Sequence, residues 1–562
     1  MPEPQPVDMN AMWHEHCLKA VRKFVMNAVV VDNQPVLNNK LVARVAAAVD
    51  EGMGEPVTEE VADKPMADTI NDHELNIQKV SDAFAEQDIA CAFVFPDDRE
   101  TDDELKHKRI IAAAVPSDIV ILDWFLKDGD SSLTKRALKS IAERDSSEKG
   151  RMRLICIYTG QPDIVEVTRD AIRALREGGL DFCEVNEAEG TAKGNHHSLL
   201  VLNKQAVTGV ELPRKILEAF TGLADGLLPS FALAAVAAVR RNMHHIISRF
   251  PSSLDDSFVA NLLITDPPED VTELIRELFI SECDTALGLE RVADDYLNKK
   301  RINDWLIVKK KPDKVEEYEL DNKEKTKIKI NKDFVLALLE HGLTEDKVRF
   351  FDGMLHDFKD KKRNKVSQAL HGGKAKAKEG EGQFARFVSL KRDTSATTKF
   401  TEEWKPSLTL GTIVRNLSSK KYFYCITPAC DTIRLKGKKR SFVMIALEKP
   451  EGKPSLLVPV KGGVEKFKIN TKPYCVRTFE FSGDESNGRI MAQLITDEEQ
   501  KKTFIFEASG IGKGKTIKFE WLGEVRRNRA NRDMAELNRE WLRLGIKDSE
   551  YLRLAAKGYA EL

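Results

Sequence analysis

The sequence predicts an α/β domain with a parallel sheet at the N-terminus, followed by a helical region and a mainly β C-terminal module with terminal helices. Over the first 210 residues, short apolar runs alternate with stretches whose apolar residues recur three and four positions apart. Strands that alternate with helices in this way are typical of βαβ units and a parallel sheet. Beyond residue 384, short alternating strands separated by Gly, Asp, Asn and Pro turns predict the β module.

The predicted strands of the N-terminal domain are nearly continuous apolar runs, which is what buried parallel strands require. They are 27–32 (NAVVVD), 90–95 (ACAFVF), 117–123 (SDIVILD), 153–158 (RLICIY) and 198–203 (SLLVLN). Apolar residues at helical spacing predict helices between them, at 74–87, 102–114, 132–144 and 163–177. We place this domain at residues 1–210.

The remainder of the chain divides into three further segments. Residues 211–357 have a helical pattern, with a charged hairpin at 309–333 and a helix at 334–357. Residues 358–383 are rich in Lys and Gly and poor in apolar residues, so we expect a basic linker there. Residues 384–562 are the predicted β-rich module, which helices at 525–544 and 548–560 close.

Composition limits the class of protein. Of the 562 residues, 42% are hydrophobic and 32% are charged, which excludes a fibrous or wholly disordered chain. The net charge is −2, but residues 1–150 carry 17 Lys and Arg against 29 Asp and Glu, whereas the rest of the chain has a net charge of +10. An acidic front on a basic back suggests modules with different partners.

Cysteine usage and apolar runs indicate the compartment. Eight scattered cysteines fit a reducing environment with buried thiols, and the closest pair, Cys425 and Cys430, lacks the second pair that a zinc site needs. No signal peptide is visible, and the longest apolar run, 226–239, is shorter than the roughly 18–20 residues of a membrane-spanning helix. We expect a cytoplasmic protein with no membrane association.

Polar residues stand where four of the predicted strands end. Asp32 ends the first strand, Asp123 ends the third, and Thr159 and Lys204 follow the fourth and the last. Ligands bind at the carboxyl ends of strands in an open parallel sheet, so these side chains can converge at one edge. Two carboxylates, a hydroxyl and an ammonium suit phosphoryl transfer to a carboxylate. In that chemistry Mg²⁺ and the lysine neutralise charge, and the hydroxyl senses the product.

This arrangement resembles the receiver domain of two-component response regulators over about residues 20–210, on the motifs VVVDNQ, VILDW, IYTG and LNKQ. The resemblance implies a flavodoxin-like, five-stranded parallel sheet. It also implies that Asp123 is the phospho-acceptor, that Thr159 is the switch hydroxyl, and that Lys204 pairs with the acceptor or the phosphoryl group. Asp32, Asp123 and the backbone carbonyl of Phe125 would hold Mg²⁺, and a sensor histidine kinase would be the phosphoryl donor.

Two features depart from the receiver pattern. Receivers usually place two acids together after the first strand, whereas here the pair is Asp32 and Asn33, which predicts weaker Mg²⁺ binding. Thr159 and Lys204 are separated by 45 positions, about double the usual spacing. Lys135 and Lys149 therefore stay open as alternatives for the receiver lysine.

A narrower resemblance involves LTLGTIVRN (408–416), YCITPACDTIRLKG (424–437) and REWLRLGIKDSEYLRL (539–554). These segments are similar to the tail of a divergent receiver family in bacterial anti-phage operons of the Detocs type. The resemblance implies a phosphate sink that works beside a sensor histidine kinase and a receiver-bearing effector. We therefore expect a regulatory phospho-acceptor rather than an enzyme, with slow autodephosphorylation at most.

Two other interpretations stay open. Residues 359–378 hold 8 Lys and Arg against 1 acid, which would suit a receiver-gated effector that binds nucleic acid by counterion release. A lysine run without interleaved aromatic residues is more typical of a solvated tether, so nucleic acid is the less favoured partner. Asn33 would also suit a pseudo-receiver scaffold that is never phosphorylated.

His244 and His245 lie on the apolar helix, and we expect them to pack in the core.

Overall fold

The computed structural model describes a defined set of residues, and the chain divides into two compact units. The first unit is Met1–Leu254 with Arg276–Pro312, and the second is Asp255–Ile275 with Asp313–Leu562. The described residues are 8–36, 75–96, 102–127, 129–148, 150–265, 269–309, 319–321, 327–329, 332–344, 347–349, 355–357, 363–394, 404–452, 454–460, 463–470, 472–486, 488–496, 502–510 and 516–541.

A seven-stranded sheet is at the centre of the first unit. The strands of this unit are β1 (Asn27–Val31), β2 (Pro35–Val36), β3 (Leu75–Asn76), β4 (Ala90–Val94), β5 (Ile119–Leu122), β6 (Arg153–Thr159), β7 (Glu184–Asn186), β8 (Thr191–Lys193) and β9 (His197–Asn203). The order is β4-β1-β5-β6-β9-β8-β7, and β4, β1, β5, β6 and β9 are parallel. The short strands β2 and β3 form a separate parallel pair. The five parallel strands have the doubly wound order in which the ligand crevice lies beside β1 and β5.

The prediction of a five-stranded sheet was wrong in its count. The strands β7 and β8 form an antiparallel pair that continues the sheet beyond β9. Each is three residues long with only one apolar residue, EVN and TAK, so neither carries the apolar run that predicts a buried strand. Their pairing covers the edge of β9, whose backbone groups would otherwise be unpaired.

Helices cover both faces of this sheet. In chain order the helices as far as Lys309 are α1 (Met9–Phe24), α2 (Ile77–Ala85), α3 (Asp103–Ala114), α4 (Ser132–Ser147), α5 (Ile164–Glu177), α6 (Leu212–Ala224), α7 (Leu227–Arg241), α8 (Met243–Ser248), α9 (Asp255–Ile264), α10 (Glu269–Leu289), α11 (Val292–Tyr296) and α12 (Lys299–Lys309), with a 3₁₀ turn at Ser252–Leu254. The core on one face includes α3, α4 and α5, and the core on the other includes α1, α2, α6, α7 and α11. Successive strand residues serve opposite faces, so Val30 and Ile121 join one core and Val31 and Leu122 the other.

His244 and His245 are exposed, which corrects their placement in the core. All eight cysteines are free thiols, and Cys17, Cys156, Cys425 and Cys475 are buried. Within the described ranges, no one helix has the length and apolar character to cross a membrane, although the bent pair α6 and α7, at 118° to each other, meets that test jointly.

The first part of the second unit differs from its prediction. Its elements are β10 (Glu319–Asp321), β11 (Lys327–Lys329), α13 (Lys332–His341), β12 (Leu343–Thr344), β13 (Lys347–Arg349), β14 (Leu355–Asp357), α14 (Arg363–His371) and α15 (Lys374–Ser389). The strands β10 and β11 pair as the hairpin predicted within 309–333. The helix predicted at 334–357 ends at His341, because Gly342 takes the left-handed φ of +68° that terminates helices, and β12, β13 and β14 follow.

The segment 358–383, which we predicted to be a basic linker, contains α14 and most of α15. Its low apolar content suggested a chain without regular structure. However, Lys, Ala, Glu and Gln are good helix formers, and α15 is rich in them. Gly373, with a φ of +137°, separates the two helices.

The rest of the second unit is mainly antiparallel β, as predicted. Its elements are β15 (Leu390–Asp393), β16 (Thr412–Asn416), β17 (Tyr422–Cys425), β18 (Lys439–Glu448), β19 (Leu456–Val460), β20 (Gly463–Ile469), β21 (Val476–Ser482), β22 (Gln493–Thr496), β23 (Lys502–Ser509), β24 (Thr516–Val525) and α16 (Arg527–Trp541), with 3₁₀ turns at Ala429–Thr432 and Pro473–Cys475. The strands β16-β17-β18-β21-β23-β24 close into a ring, because β24 pairs with both β16 and β23. Aromatic side chains that include Phe442, Phe481 and Trp521 form one core. A second core joins Tyr424 and Phe467 to α16. The terminal helix predicted at 548–560 lies outside the described residues.

Candidate functional site

Three of the four candidate side chains follow strand ends at one edge of the sheet. Asp32 comes directly after β1, Asp123 after β5, and Lys204 after β9. Val31 and Leu122 are register partners, and the amide of Asp123 donates to the carbonyl of Val31 at 2.9 Å. The two acids are therefore level with each other on adjacent strands, beside the crevice that the strand order creates.

The ammonium of Lys204 bridges the two carboxylates. Its Nζ donates to Asp32 Oδ2 at 2.8 Å and to Asp123 Oδ2 at 2.6 Å. The side chains of Lys204, Asp32 and Asp123 are only 4%, 2% and 11% exposed. The backbone amide of Lys204 donates to the carbonyl of Thr159 at 2.8 Å, which holds the chain after β9 against β6. We call these three residues the charged cluster; its formal charge is −1.

The net effect of burial and of neighbouring charges is to raise the pKa values of both Asp123 and Lys204. Burial raises the pKa of Asp123 above its usual range, the attraction of Lys204 opposes this, and the charge of Asp32 adds to it. Burial would lower the pKa of Lys204, but the two carboxylates outweigh that effect, so the pKa of Lys204 is raised and the ammonium stays charged. A buried cluster with a net negative charge attracts a further cation.

Backbone amides fix the orientation of both carboxylates. Asp32 Oδ1 accepts from the amide of Gln34 at 2.8 Å, and Asp123 Oδ1 accepts from the amide of Phe125 at 3.2 Å. Each acid thus directs one oxygen to its own turn and the other to Lys204. Phe125 is half-buried, and the role of its carbonyl as a metal ligand stays a prediction.

Thr159 lies at the same edge, beside the charged cluster. It ends β6, is 1% exposed, and pairs with Asn203 of β9. Its hydroxyl accepts from the amide of Gln161 at 3.2 Å, which is a bond within its own turn. The structure therefore brings Asp32, Asp123 and Lys204 into direct contact, whereas Thr159 is on the neighbouring strand and bonds locally.

The geometry favours Lys204 over the alternative lysines. Lys135 Nζ donates to Asp170 Oδ2 at 2.6 Å and lies 5.4 Å from the centroid of the Trp124 ring. Lys149 lies outside the described residues. Within the described part of the chain, Lys204 is the lysine that contacts both carboxylates.

Two supporting residues had not been predicted from the sequence. Thr134, in the first turn of α4, is fully buried, and its hydroxyl donates to the backbone carbonyl of Asp123 at 2.9 Å. Tyr158 donates to the carbonyl of Val207 at 2.7 Å, and Lys204 Nζ lies 5.7 Å from the centroid of its ring. Tyr158 stands inside the IYTG motif and could have been noticed there; nothing in the sequence singles out Thr134.

We expect Thr134→Val to destabilise the first unit by about 1–2 kcal/mol, because it removes a buried bond to the carbonyl of Asp123. Amide hydrogen exchange of peptides from β5 and α4 would measure the loss. Thr168→Val is the matched control, since Thr168 is also fully buried but bonds within its own helix to the carbonyl of Ile164. Equal effects of the two substitutions would contradict a special role for Thr134.

The charged cluster fits Mg²⁺ in its chemistry. Mg²⁺ prefers carboxylate and carbonyl oxygens with water completing an octahedron, and Asp32 and Asp123 supply two buried carboxylates. No group of three or more His, Cys, Asp or Glu side chains able to hold a metal exists among the described residues. Asn33, which is half-buried next to Asp32, supplies no second charge. Any Mg²⁺ would therefore rely on two carboxylates, on the predicted carbonyl of Phe125 and on water.

Comparison with known protein families agrees with this geometry. A family model described as a response receiver domain matches residues 24–209, from just before β1 to just after β9. Residues 24–209 form a receiver domain. The match includes all three residues of the charged cluster and Thr159. No curated protein and no solved structure matches the chain.

The stability of the receiver domain should depend on pH through Asp123. The pKa of Asp123 is higher in the folded than in the unfolded protein, so the folded protein holds this proton more tightly. The resulting stability is present at low pH and is lost as the pH rises through the pKa of the folded protein. We expect Asp123→Asn to be more stable than the wild type at neutral pH without Mg²⁺, on the order of 1 kcal/mol, with the difference vanishing in acid. Amide hydrogen exchange of peptides from β5, corrected for the intrinsic pH dependence of exchange, measures this at each pH.

The control for this prediction is Asp130→Asn. The hydroxyl and amide of Ser132 hold the pKa of Asp130 below its usual range, so its stabilising contribution is present at neutral pH and is lost in acid. The Asp130 variant should thus be less stable than the wild type at neutral pH. A loss of stability in Asp123→Asn under the same conditions would contradict the assigned direction.

Proposed function

We propose that this chain is a response-regulator-type protein in which Asp123 accepts a phosphoryl group from the phosphohistidine of a sensor histidine kinase. The observation that carries the proposal is the ammonium of Lys204 bridging two buried carboxylates at the carboxyl edge of the receiver sheet. A cation held at this position neutralises charge as it develops on a transferring phosphoryl group.

The two acids differ in ways that favour Asp123 as the acceptor. Asp123 has the more accessible side chain, at 11% exposure against 2% for Asp32. Thr134 also fixes the backbone carbonyl of Asp123, whereas a backbone amide holds one carboxylate oxygen in both acids. Asp32 is left to hold the metal, as the resemblance to receivers implies.

The reaction balances as a transfer between two groups. A carboxylate oxygen of Asp123 attacks phosphorus, the P–O bond forms as the P–N bond to the kinase histidine breaks, and the imidazole leaves with the electron pair and takes up a proton. Lys204 keeps its charge and pairs with the new phosphoryl oxygens. The hydroxyl of Thr159 exchanges its bond from the amide of Gln161 for a bond to them. Mg²⁺, when bound, neutralises phosphoryl oxygens and aligns them with the acceptor.

We further propose that the phosphorylated chain acts as a phosphate sink in a bacterial anti-phage two-component system, with a receiver-bearing effector as the protein it protects. Support comes from the resemblance of segments 408–416 and 424–437 to the tail of Detocs-type receivers. The first segment supplies β16 of the closed ring, and the second begins at the end of β17. We propose a cytoplasmic, non-enzymatic protein whose own chemistry is limited to slow autodephosphorylation at Asp123.

Phosphotransfer in a reconstituted system tests this function. A radiolabelled, autophosphorylated sensor histidine kinase of a Detocs-type system is mixed with its receiver-bearing effector, with and without the wild-type protein. We expect the wild type to take label from the kinase and to lower effector labelling in proportion to its concentration, whereas Asp123→Asn does neither. A wild type that lowers effector labelling without taking label would instead support the scaffold interpretation.

A further inference from the structure

A helix in the second unit exposes aromatic rings to solvent. On α15, Phe384 and Phe387 are 55% and 63% exposed, and Val388 beside them is 50% exposed. A phenylalanine side chain buries about 150–250 Å² of surface when it is covered. A neighbouring pair of exposed phenylalanines therefore indicates an interaction surface.

The two rings lie next to each other, and an arginine side chain contacts one of them. Their centroids are 6.4 Å apart, with 40° between the ring planes. The guanidinium of Arg526 lies 5.2 Å from the centroid of the Phe387 ring, and its Nε donates to the carbonyl of Phe387 at 2.9 Å. The amide of Arg526 also donates to the carbonyl of Ser389 at 2.9 Å, so the cation is held beside the rings by the backbone of α15.

The same helix begins with exposed cations. Lys374, Lys376 and Lys378 are exposed at its N-terminal end, and Glu379 and Glu381 are the exposed acids of the helix. Two other cations near the rings are neutralised, because Arg386 pairs with Asp393 at 3.1 Å and Lys391 with Glu524 at 3.2 Å. We define the basic-aromatic surface by the residues whose rings or charges remain open to a ligand: Lys374, Lys376, Lys378, Phe384, Phe387 and Arg526.

We propose that the basic-aromatic surface binds single-stranded nucleic acid. Unpaired bases stack on exposed aromatic rings, and lysines and arginines contact the phosphates, so rings and cations on one element suit a single strand better than a duplex with stacked bases. No Phe, Tyr or Trp lies among the lysines of 359–378. The helix α15 nevertheless joins its three lysines to Phe384 and Phe387. This inference is independent of phosphorylation at Asp123.

An anionic membrane would also attract cations and rings, but α15 suits it less. An interfacial helix needs an apolar face along most of its length. The large exposed apolar residues of α15 are confined to its C-terminal turns, and Gly380 and Gly382 occupy the middle. The observations therefore favour the nucleic acid.

Fluorescence anisotropy with fluorescein-labelled, mixed-sequence single-stranded RNA and DNA tests the proposal on the full chain. We expect binding at low salt, with a logarithmic salt slope that falls by about 2 in the Lys374→Ala, Lys376→Ala, Lys378→Ala triple variant, because three phosphate contacts are lost. Phe384→Ala with Phe387→Ala should weaken binding about tenfold or more with little change in slope. Phe279→Ala, which removes a ring that is 50% exposed on the acidic helix α10, is the matched control and should bind like the wild type.

Three results would overturn the proposal. They are the absence of oligonucleotide binding at low salt, wild-type affinity in both the lysine and the phenylalanine variants, and binding to phosphatidylserine vesicles with none to either oligonucleotide. Circular dichroism verifies that each variant is folded. If the double phenylalanine variant unfolds, Phe387→Leu retains apolar area without a ring and should still lose affinity.

Discussion

Replacing Asp123 with asparagine should abolish phosphorylation of the protein. With acetyl phosphate and Mg²⁺, intact-mass measurement of the wild type should show an added mass of about 80 Da, the mass of one phosphoryl group. The variant should lack this added mass, because its phosphorylation rate is at least ~100-fold lower. The reason is that an amide oxygen is a poor nucleophile, while Asn keeps the shape of the side chain and its bond from the amide of Phe125.

Asp32→Asn provides the contrast for this experiment. Asp32 contacts Lys204 but is not the proposed nucleophile, so this variant should still become phosphorylated, at a rate lower on the order of 10- to 100-fold because a metal ligand is weakened. An adduct that persists in Asp123→Asn and disappears in Asp32→Asn would exchange the two roles and contradict the proposed acceptor.

Replacing Lys204 with methionine should destabilise the receiver domain by about 3–5 kcal/mol in the absence of Mg²⁺, since it leaves two buried carboxylates without their shared cation. Excess Mg²⁺ should restore more stability to this variant than it adds to the wild type, because the metal replaces a charge that the wild type already has. Hydrogen exchange of peptides from β1, β5 and β9 reports this, since a single transition is not expected for a chain of two units.

Lys135→Met is the matched control for Lys204. Its ammonium pairs with Asp170, and its side chain is 39% exposed, so its loss should change stability by under about 1 kcal/mol, with no dependence on Mg²⁺. If Lys204→Met exchanged as slowly as the wild type, the bridging geometry would contribute little to the fold, and the structural basis for the proposed function would fail.

The five parallel strands could be predicted because each is a buried, β-branched or apolar run. The three residues 29–31 (VVV) and the strand Ile119–Leu122 have no polar member and face covered surfaces on both sides. The strands β7 and β8 could not be predicted, because each has a single apolar residue and is held by pairing, β8 with the edge of β9 and β7 with β8. The helix α15 could not be predicted, because a sequence rich in Lys, Gly and Glu is also typical of disordered tethers.

The sequence predicts which residues form the charged cluster, but it does not predict the contacts between them. Asp32, Asp123 and Lys204 each follow a strand directly, and strand ends meet at one edge whatever the intervening lengths. That Lys204 bridges both acids depends on the bond from its amide to Thr159, which no local pattern encodes. The support from Thr134 depends on how α4 packs under β5, which is a tertiary property.

The most direct test of the central claim is to locate the phosphoryl group. Borohydride reduces an aspartyl phosphate to homoserine, so the wild-type protein is incubated with the phosphorylated kinase or with acetyl phosphate and Mg²⁺, reduced, digested and sequenced by mass spectrometry. We predict homoserine at position 123 and aspartate at position 32. Homoserine at Asp32 or at another acid, or a phosphoryl adduct that borohydride leaves unchanged, would contradict the assignment of Asp123 as the acceptor.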